Sequence, residues 1–297
     1  MKLLIAFSLV FIFSCQHKNV ISVETKKSDM KNQDTKAIEL DKKLTTEAIQ
    51  PSRPLTHVMP KSVPNFGIIF SAGGARAWAH VAVLKEMQKY KFPVVSIAGI
   101  EWGAVVGAIF AQSLSSNEVE WEMSKFKSLD KANEFIQTVF AKKTVADMKT
   151  PFACPSLNLK SQTVYLLNRG NVDQFLPFCL PSPGLLKPYG QSVALMTDIA
   201  VLVQHLKSTG VQKIILINIL NAKNNKPYVN SIESLENQLW VASATQLAKK
   251  NIGLDEVIEI SIPDFGIEDF DHRREIMAKG SETSYNQIKK LAEKYGL

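Results

Sequence analysis

The chain has 297 residues, of which 45% are hydrophobic and 21% are charged. This is the composition of an ordinary globular protein, and it excludes a collagen-like repeat, wholesale disorder and a protein with many membrane spans. The formal net charge of +7 at pH 7 comes from 35 Lys and Arg against 28 Asp and Glu. Three cysteines are too few for a disulfide-dense scaffold or a four-cysteine zinc module.

The first fifteen residues, MKLLIAFSLVFIFSC, join one lysine to a short apolar run. The uncharged run from Leu3 to Phe13 is too short to cross about 30 Å of hydrocarbon as a helix, so it predicts an export signal. Its ending, Ile-Phe-Ser-Cys, resembles a bacterial lipobox and implies a lipoprotein signal peptide over residues 1–14 with a lipidated Cys15. The alternative is an ordinary signal peptide with an incidental cysteine.

Residues 15–64 are interpreted as the lipidated cysteine and a disordered tether. From Gln16 to Pro64 the chain has no sustained hydrophobic period and no glycine. Basic and acidic residues are interleaved there, which argues against a basic lipid-binding patch. A flexible chain of this length spans about 35–40 Å root-mean-square. The lipobox resemblance implies a permanent membrane anchor, and Gln16 after the cysteine favours the outer membrane of a bacterial cell envelope.

From Asn65 onward, short apolar runs alternate with amphipathic stretches, which indicates an α/β domain with a mainly parallel sheet. Strands are predicted at 66–71, 94–98, 163–168, 211–219 and 257–262, and helices at 78–91, 102–112, 198–208 and 281–295. Most of the net positive charge lies before residue 65. The small excess left on residues 65–297 does not indicate a nucleic-acid partner.

Two glycine-containing turns each join a predicted strand to a predicted helix. The first is SAGGARA at residues 71–77, where backbone N–H groups can face an anion at a helix N-terminus. It lacks the dinucleotide pattern G-x-G-x-x-G, because Ala72 and Ala77 take the outer positions. The second is GIEWG at residues 99–103, which has the G-x-S-x-G spacing of a nucleophile elbow with Glu101 in place of the serine.

Together, the two turns resemble those of the patatin-like phospholipase family. AGGARAWAHVAVL and AGIEWGAVVGAIFA are similar to the oxyanion loop and the elbow of that family, in the same order and at the same spacing. PFACPSLNLKSQTVYLLNRG and LPFCLPSPGLLKP resemble the strand pair and the proline-containing segment that follow, so the resemblance runs from about Phe66 to Ile219. It implies a patatin-like three-layer sandwich over residues 65–297, with a mainly parallel central sheet flanked by helices.

The resemblance also implies where a lipid acyl hydrolase would carry its catalytic groups. Family members hydrolyse acyl esters with a serine nucleophile, an aspartate base and a glycine loop that binds the oxyanion. The matching positions here hold Glu101 for the serine and Ala194 for the aspartate, and the nearest acidic residue, Asp198, lies at a predicted helix start. The residues that match the oxyanion loop and the elbow are Gly73, Gly74, Arg76, Gly99 and Gly103.

Three interpretations of Glu101 remain open from the sequence. Its carboxylate pairs with Arg76 or with backbone N–H groups and fills the former active site. Alternatively, it binds a cationic group of a ligand. Thirdly, it acts as a nucleophile or general base, although its attack on an ester would produce a less stable anhydride. The loss of both dyad residues favours an inactive member that binds a lipid-like ligand or an envelope protein. A lipid acyl hydrolase that uses Glu101 is the alternative.

The remaining histidines and cysteines suggest structural roles. His80 and His205 lie in predicted helices, and the chain has no HExxH or CxxC spacing, so we expect neither a metal nor a cofactor. Cys154 and Cys179 are the cysteines left after Cys15. In an oxidising envelope compartment we expect them to form a disulfide, with two buried free thiols as the alternative. Such a bond would close a loop of about 25 residues and contribute about 3 kcal/mol.

Overall fold

Seven strands and eight α-helices occupy the described part of the computed structural model, which covers residues 63–220, 227–228, 235–249 and 253–297. The strands are β1 Phe66–Phe70, β2 Val94–Gly99, β3 Phe152–Asn158, β4 Thr163–Leu167, β5 Ser192–Ala194, β6 Lys213–Asn218 and β7 Glu256–Glu259. The helices are α1 Trp78–Lys89, α2 Trp102–Ser113, α3 Ser116–Ser124, α4 Ala132–Phe140, α5 Val172–Phe175, α6 Ala200–Ser208, α7 Leu235–Ala248 and α8 Arg273–Tyr295. The predicted signal peptide, Cys15 and the tether up to residue 62 lie outside the described residues.

The strands form one sheet with the order β4-β3-β2-β1-β6-β7, and β5 pairs with β3. The pairs from β3 through β2, β1 and β6 to β7 are all parallel, whereas β4 and β5 run antiparallel to β3. Because β1 and β2 are parallel neighbours, their carboxyl ends meet at the same edge of the sheet, with Phe70 opposite Gly99. The two glycine turns that follow these strands are therefore brought together.

Two hydrophobic clusters cover the two faces of this sheet. Along β1, Phe66, Ile68 and Phe70 point into a cluster with α1, α2, α4 and α8, while Ile69 points into a second cluster with α6 and α7. This alternation is the period of two expected for a strand that is buried on both faces. The resulting three layers confirm the predicted α/β sandwich with a mainly parallel sheet flanked by helices.

Several elements differ from the sequence prediction. Helix α8 begins at Arg273 rather than at residue 281, and the sequence did not predict β5, α3, α4, α5 or α7. The last predicted strand ends at Glu259 rather than at residue 262. In the ranges that the structure describes, no helix combines the length and the apolar character needed to cross a membrane.

Candidate functional site

The elbow between β2 and α2 has the backbone that its glycines predict. Glu101 adopts φ 57° and ψ −127°, a conformation that L-residues rarely take. A Cβ on Gly99 would come within 2.5 Å of the Cα of Ala104, and a Cβ on Gly103 would lie 2.7 Å from the carbonyl oxygen of Phe70. Only glycine fits at these two positions, so the elbow brings α2 directly against the end of β1 and points the Glu101 side chain at the first glycine turn.

The first glycine turn lies directly opposite the elbow. Gly74 has φ 55°, and a Cβ there would collide with the carbonyl oxygen of Ile267. The same oxygen accepts a hydrogen bond of 2.7 Å from Ala75 N–H. The chain around Ile267 therefore covers the outer side of the turn, and the N–H groups of Gly73 and Gly74 point toward the elbow.

The carboxylate of Glu101 occupies the space between the two turns. Its Oε2 accepts hydrogen bonds from Gly73 N–H at 3.0 Å and from Gly74 N–H at 2.9 Å. Its Oε1 accepts a hydrogen bond of 3.1 Å from the hydroxyl of Ser182. The residue is 0% exposed. Burial raises the pKa of the carboxyl to about 7, while the N–H and hydroxyl donors favour the charged form and oppose that rise.

Arg76 does not supply the countercharge that the sequence offered as one partner of Glu101. Its Nε and Nη2 donate hydrogen bonds of 2.8 Å and 2.6 Å to the carbonyl oxygen of Phe265. Its guanidinium carbon lies 4.9 Å from the centre of the Tyr228 ring. Burial lowers the pKa of Arg76 to about 10, a value at which the group stays charged at neutral pH. Arg76 thus holds the covering segment in place, and Glu101 pairs with backbone N–H groups instead.

The position expected for the catalytic aspartate is apolar. Ala194 ends β5, is buried, and donates its N–H to Pro181 at 2.8 Å. The Met196 side chain packs in the same cluster as Trp240. Asp198 is exposed, and its Oδ1 accepts a hydrogen bond of 2.8 Å from Ala200 N–H at the start of α6. Apart from the Ser182–Glu101 contact itself, the hydrogen bonds of the described residues bring no carboxylate to either side chain.

Ser182 is a site residue that the sequence did not single out. It lies in the segment LPFCLPSPGLLKP, which the sequence identified only as similar to a proline-containing segment of the family. Its side chain is 2% exposed and reaches Glu101 from a position 81 residues further along the chain. The Cys154–Cys179 disulfide, with a Cα–Cα distance of 6.2 Å, ties β3 to the residues just before this serine.

Large buried side chains lie next to the site residues in the sequence or bond to their neighbours. Trp102, next to Glu101, is 0% exposed, and its ring centre lies 4.6 Å from that of Phe126 and 5.2 Å from that of Phe270. Trp240 on α7 donates its indole N–H to the carbonyl oxygen of Pro183 at 2.8 Å. An open cavity of about 150 Å³ is formed by β7 and α8, and no partner of Glu101 lines it.

The histidines lie in structural settings. His80 Nε2 lies 3.0 Å from the carbonyl oxygen of Ser71, and burial lowers the pKa of this imidazole to about 4. Burial also lowers the pKa of His205. Within the described ranges, no three or more His, Cys, Asp or Glu side chains are grouped so that they could hold a metal ion.

Comparison with known proteins relates this geometry to one family. Residues 68–290 match the family model described as patatin-like phospholipase. An uncharacterized NTE family protein of Mycobacterium tuberculosis is 22% identical over 169 residues, which cover 51% of this chain and 47% of that protein. A lysophospholipase of Candida albicans is 22% identical over 186 residues, which cover 54% of this chain and 13% of that protein. The chain thus spans less than half the length of these curated relatives.

Two solved structures share a more distant likeness. VipD from Legionella pneumophila superposes with a TM-score of 0.46 at 8% identity, covering 85% of this chain and 72% of that chain. The ExoU–SpcU complex of Pseudomonas aeruginosa gives a TM-score of 0.40 at 12% identity, covering 83% and 59% of the two chains.

Proposed function

The chain belongs to the patatin-like phospholipase family, and from this premise we propose that it is a member whose ester-hydrolysis site is filled by its own glutamate. The observation that carries the proposal is the pair of hydrogen bonds from Gly73 N–H and Gly74 N–H to Glu101 Oε2, at 3.0 Å and 2.9 Å. The family resemblance assigns these donors to the oxyanion of the reacting ester. A substrate carbonyl cannot bind these two N–H groups while the Glu101 carboxylate accepts from them.

The chemistry of the surrounding residues supports the same proposal. A carboxylate that attacked an ester would form an anhydride, which is less stable than the ester it came from. At the position of the expected aspartate, Ala194 has no group that can accept a proton. Because Glu101 is 0% exposed, a ligand must displace packed side chains to reach it. The proposed role is therefore to bind a lipid-like ligand or an envelope protein without hydrolysing it. This binding would take place on the outer surface of the domain.

The proposed location is the bacterial cell envelope. The lipobox-like ending at Cys15 supports a lipid anchor, and the tether to Pro64 would let the domain move near the membrane that holds it. Gln16, the residue after this cysteine, favours the outer membrane as the place of the anchor. Metabolic labelling with an alkyne-tagged palmitate tests the anchor: incorporation into the wild-type chain but not into Cys15→Ser is expected. Equal labelling of both proteins would contradict it.

A second candidate function is a lipid acyl hydrolase with exchanged roles. Ser182 Oγ lies 3.1 Å from a carboxylate whose pKa is about 7, so Glu101 could accept the hydroxyl proton as Ser182 attacks an acyl carbonyl. Glu101 would return that proton to the leaving alcohol, and water would then hydrolyse the acyl-serine. The relative from Candida albicans is named a lysophospholipase, which favours this candidate. The occupied N–H groups of Gly73 and Gly74 weigh against it, because no oxyanion can bind there while Glu101 does.

Fatty-acid release from a lysophospholipid and from short-chain esters separates the two candidates. We expect the purified full chain to release no more fatty acid than the Ser182→Ala and Glu101→Gln variants do. Ser284→Ala is the matched control, because Ser284 is equally buried but lies in α8. Turnover that is present in the wild type and in Ser284→Ala but absent from both site variants would establish the hydrolase instead.

A further inference from the structure

The two strands at the edges of the sheet, β7 and β4, differ in what covers their outer backbone groups. At β7, the side-chain amide of Gln287 from α8 takes the place of a neighbouring strand. Its Oε1 accepts a hydrogen bond of 3.1 Å from Glu259 N–H, and its Nε2 donates one of 2.7 Å to the Glu259 carbonyl oxygen. Glu256 of the same strand accepts a hydrogen bond of 2.6 Å from the Tyr295 hydroxyl of α8. Helix α8 therefore protects this edge from pairing with another chain.

At β4, the outer backbone groups are those of Val164 and Leu166. In the ladder with β3, Leu166 lies opposite Pro155, which has no N–H to donate. Just after β3, Leu159 N–H points away from β4 and donates to Gln191 at 2.7 Å. Since alternate residues of an antiparallel strand bond to opposite neighbours, the N–H and C=O groups of Val164 and Leu166 point away from β3. Among the described residues, no loop or side chain forms a hydrogen bond with these groups.

Strand β4 also lacks the side chains that keep edge strands from pairing. Its sequence, TVYLL, has no proline, and residues 161–168 include no charged side chain. Val164 is 42% exposed. β-Branched and aromatic residues favour an extended strand. An edge strand without charge, proline or a covering element is a template for another strand. The outer edge of β4 therefore fits an extended partner.

The side chains of β4 are complementary to a second copy of the same strand. Tyr165 packs against the cluster on one face of the sheet, and Leu166 packs against the cluster on the other face. In an antiparallel pair centred on Tyr165, this tyrosine would face its own copy, and Val164 would face Leu166 of the other chain. Aromatic and apolar cross-strand pairs stabilise a sheet, and no like charges would be opposed. Both clusters would continue across the junction.

The hairpin that carries β4 is ordered before any such pairing. At its turn, Asn158 Oδ1 accepts hydrogen bonds of 3.0 Å from Lys160 N–H and 2.9 Å from Ser161 N–H. At its other end, the disulfide between Cys154 and Cys179 holds β3. A strand that is fixed in advance loses little conformational entropy when it binds.

We propose that two copies of this chain pair through β4, antiparallel about a two-fold axis at Tyr165, so that their two sheets become one. A two-fold interface is the commonest kind in homo-oligomers, and it places the same strand on both sides of the junction. The proposal does not depend on the proposed function, because no residue of β4 is among the hydrogen-bond partners of Glu101.

Sedimentation equilibrium over a series of protein concentrations tests the pairing. The protein is the chain from residue 15 onward with Cys15→Ser, so that no lipid anchor brings the chains together. The test variant is Val164→Lys, which places a charge at the centre of the uncharged edge. The matched control is Val257→Lys, because Val257 is also 42% exposed but lies on β7, the protected edge. Far-ultraviolet circular dichroism and thermal unfolding check that every variant is folded.

We expect the parent protein and Val257→Lys to reach the mass of a dimer as the concentration rises, and Val164→Lys to associate at least about tenfold more weakly. Oxidative cross-linking tests the register. Facing residues of a non-hydrogen-bonded pair have Cβ atoms about 4.5–5.5 Å apart, close to the spacing in a disulfide. In the same Cys15→Ser protein, Tyr165→Cys should therefore form a covalent dimer much faster than Val257→Cys.

Three results would overturn the proposal. The first is a parent protein that stays monomeric at every concentration, which would point to a strand of a different protein as the partner of β4. The second is a loss of association in Val257→Lys as large as that in Val164→Lys. The third is a Tyr165→Cys variant that cross-links no faster than Val257→Cys.

Discussion

The family resemblance assigns two regions to one active site: the elbow after β2 and the segment from β5 to α6. The two regions differ in how closely they match the motifs of the family. At the elbow, Gly99 and Gly103 make the close backbone contacts that a nucleophile elbow needs. At the end of β5, Ala194 and Met196 pack in an apolar cluster where an aspartate is expected. The glycine turns are therefore required by packing, since β1 and α2 cannot meet without them, whereas no packing contact requires the catalytic side chains.

The largest expected effect comes from adding one carbon atom at the elbow. In Gly103→Ala, the new methyl group would collide with the carbonyl oxygen of Ser71 and lie 2.7 Å from that of Phe70. Neither backbone group can move without separating β1 from α2. We expect the free energy of unfolding to fall by about 4 kcal/mol or more, measured by urea denaturation.

Gly170→Ala is the control for this variant. Gly170 has φ 84°, but a Cβ there meets no atom within 4 Å, so only backbone strain is added. The expected loss is about 1 kcal/mol. Equal losses for the two variants would mean that the elbow does not depend on close contact.

A second variant restores an acidic group at the end of β5. In Ala194→Asp, the carboxylate would enter the apolar cluster that contains Met196 and Trp240. We expect a loss of about 3 kcal/mol in the free energy of unfolding. Ala200→Asp is the control, because Ala200 is exposed at the start of α6 and should change stability by no more than about 0.5 kcal/mol. A variant at 194 that is as stable as its control would show that this region still accommodates a catalytic aspartate.

The third prediction concerns the hydrogen bonds of Glu101. Glu101→Ala leaves the N–H groups of Gly73 and Gly74 and the hydroxyl of Ser182 without their acceptor. We expect a loss of about 2 kcal/mol. Formate, a small carboxylate, should restore part of the thermal stability of this variant by binding the same donors. Chloride at equal ionic strength should not do so, and neither should formate added to the wild type. A variant that formate leaves unchanged would contradict the proposed carboxylate site.

The most gradual expected effect is the pH dependence that Glu101 adds to stability, because it is spread over about two pH units. Burial raises its pKa from 4.5 to about 7 in the folded protein. Between these two values the folded state binds a proton that the unfolded state has released, so stability falls as pH rises through this window. The difference in unfolding free energy between the wild type and Glu101→Gln should therefore fall by about 1 kcal/mol per pH unit between about pH 5 and about pH 7. A difference that is flat or rises with pH would contradict the raised pKa.

The sequence predicts the two turns well because their requirements are local. The spacing of Gly99 and Gly103 and the apolar runs before each turn are visible within a few residues. The start of α8 at Arg273 is not visible in this way, because its first residues are charged and no apolar period marks them. Helix α7 is missed for the opposite reason, since its apolar residues lie on both its buried and its exposed sides.

The partners of Glu101 and Arg76 illustrate what the sequence could not predict. Ser182 is 81 residues from Glu101, and Phe265 is 189 residues from Arg76. Neither separation along the sequence corresponds to a recognisable motif spacing. A serine between two prolines is typical of an ordinary turn. The choice between Arg76 and backbone N–H groups as the partner of Glu101 depends on where the segment around Phe265 lies, which only the folded chain defines.

Labelling with a fluorophosphonate ester tests most directly whether Glu101 closes the site. This reagent traps a serine that is activated as a nucleophile and that has free oxyanion donors beside it. The full chain is treated with the reagent, and the modified residue is identified by mass spectrometry in the wild type and in Glu101→Gln. We predict no label on Ser182 in either protein, because Gly73 and Gly74 already donate to the residue at position 101. A label on Ser182 in the wild type that disappears in Glu101→Gln would contradict the account and establish a hydrolase with exchanged roles.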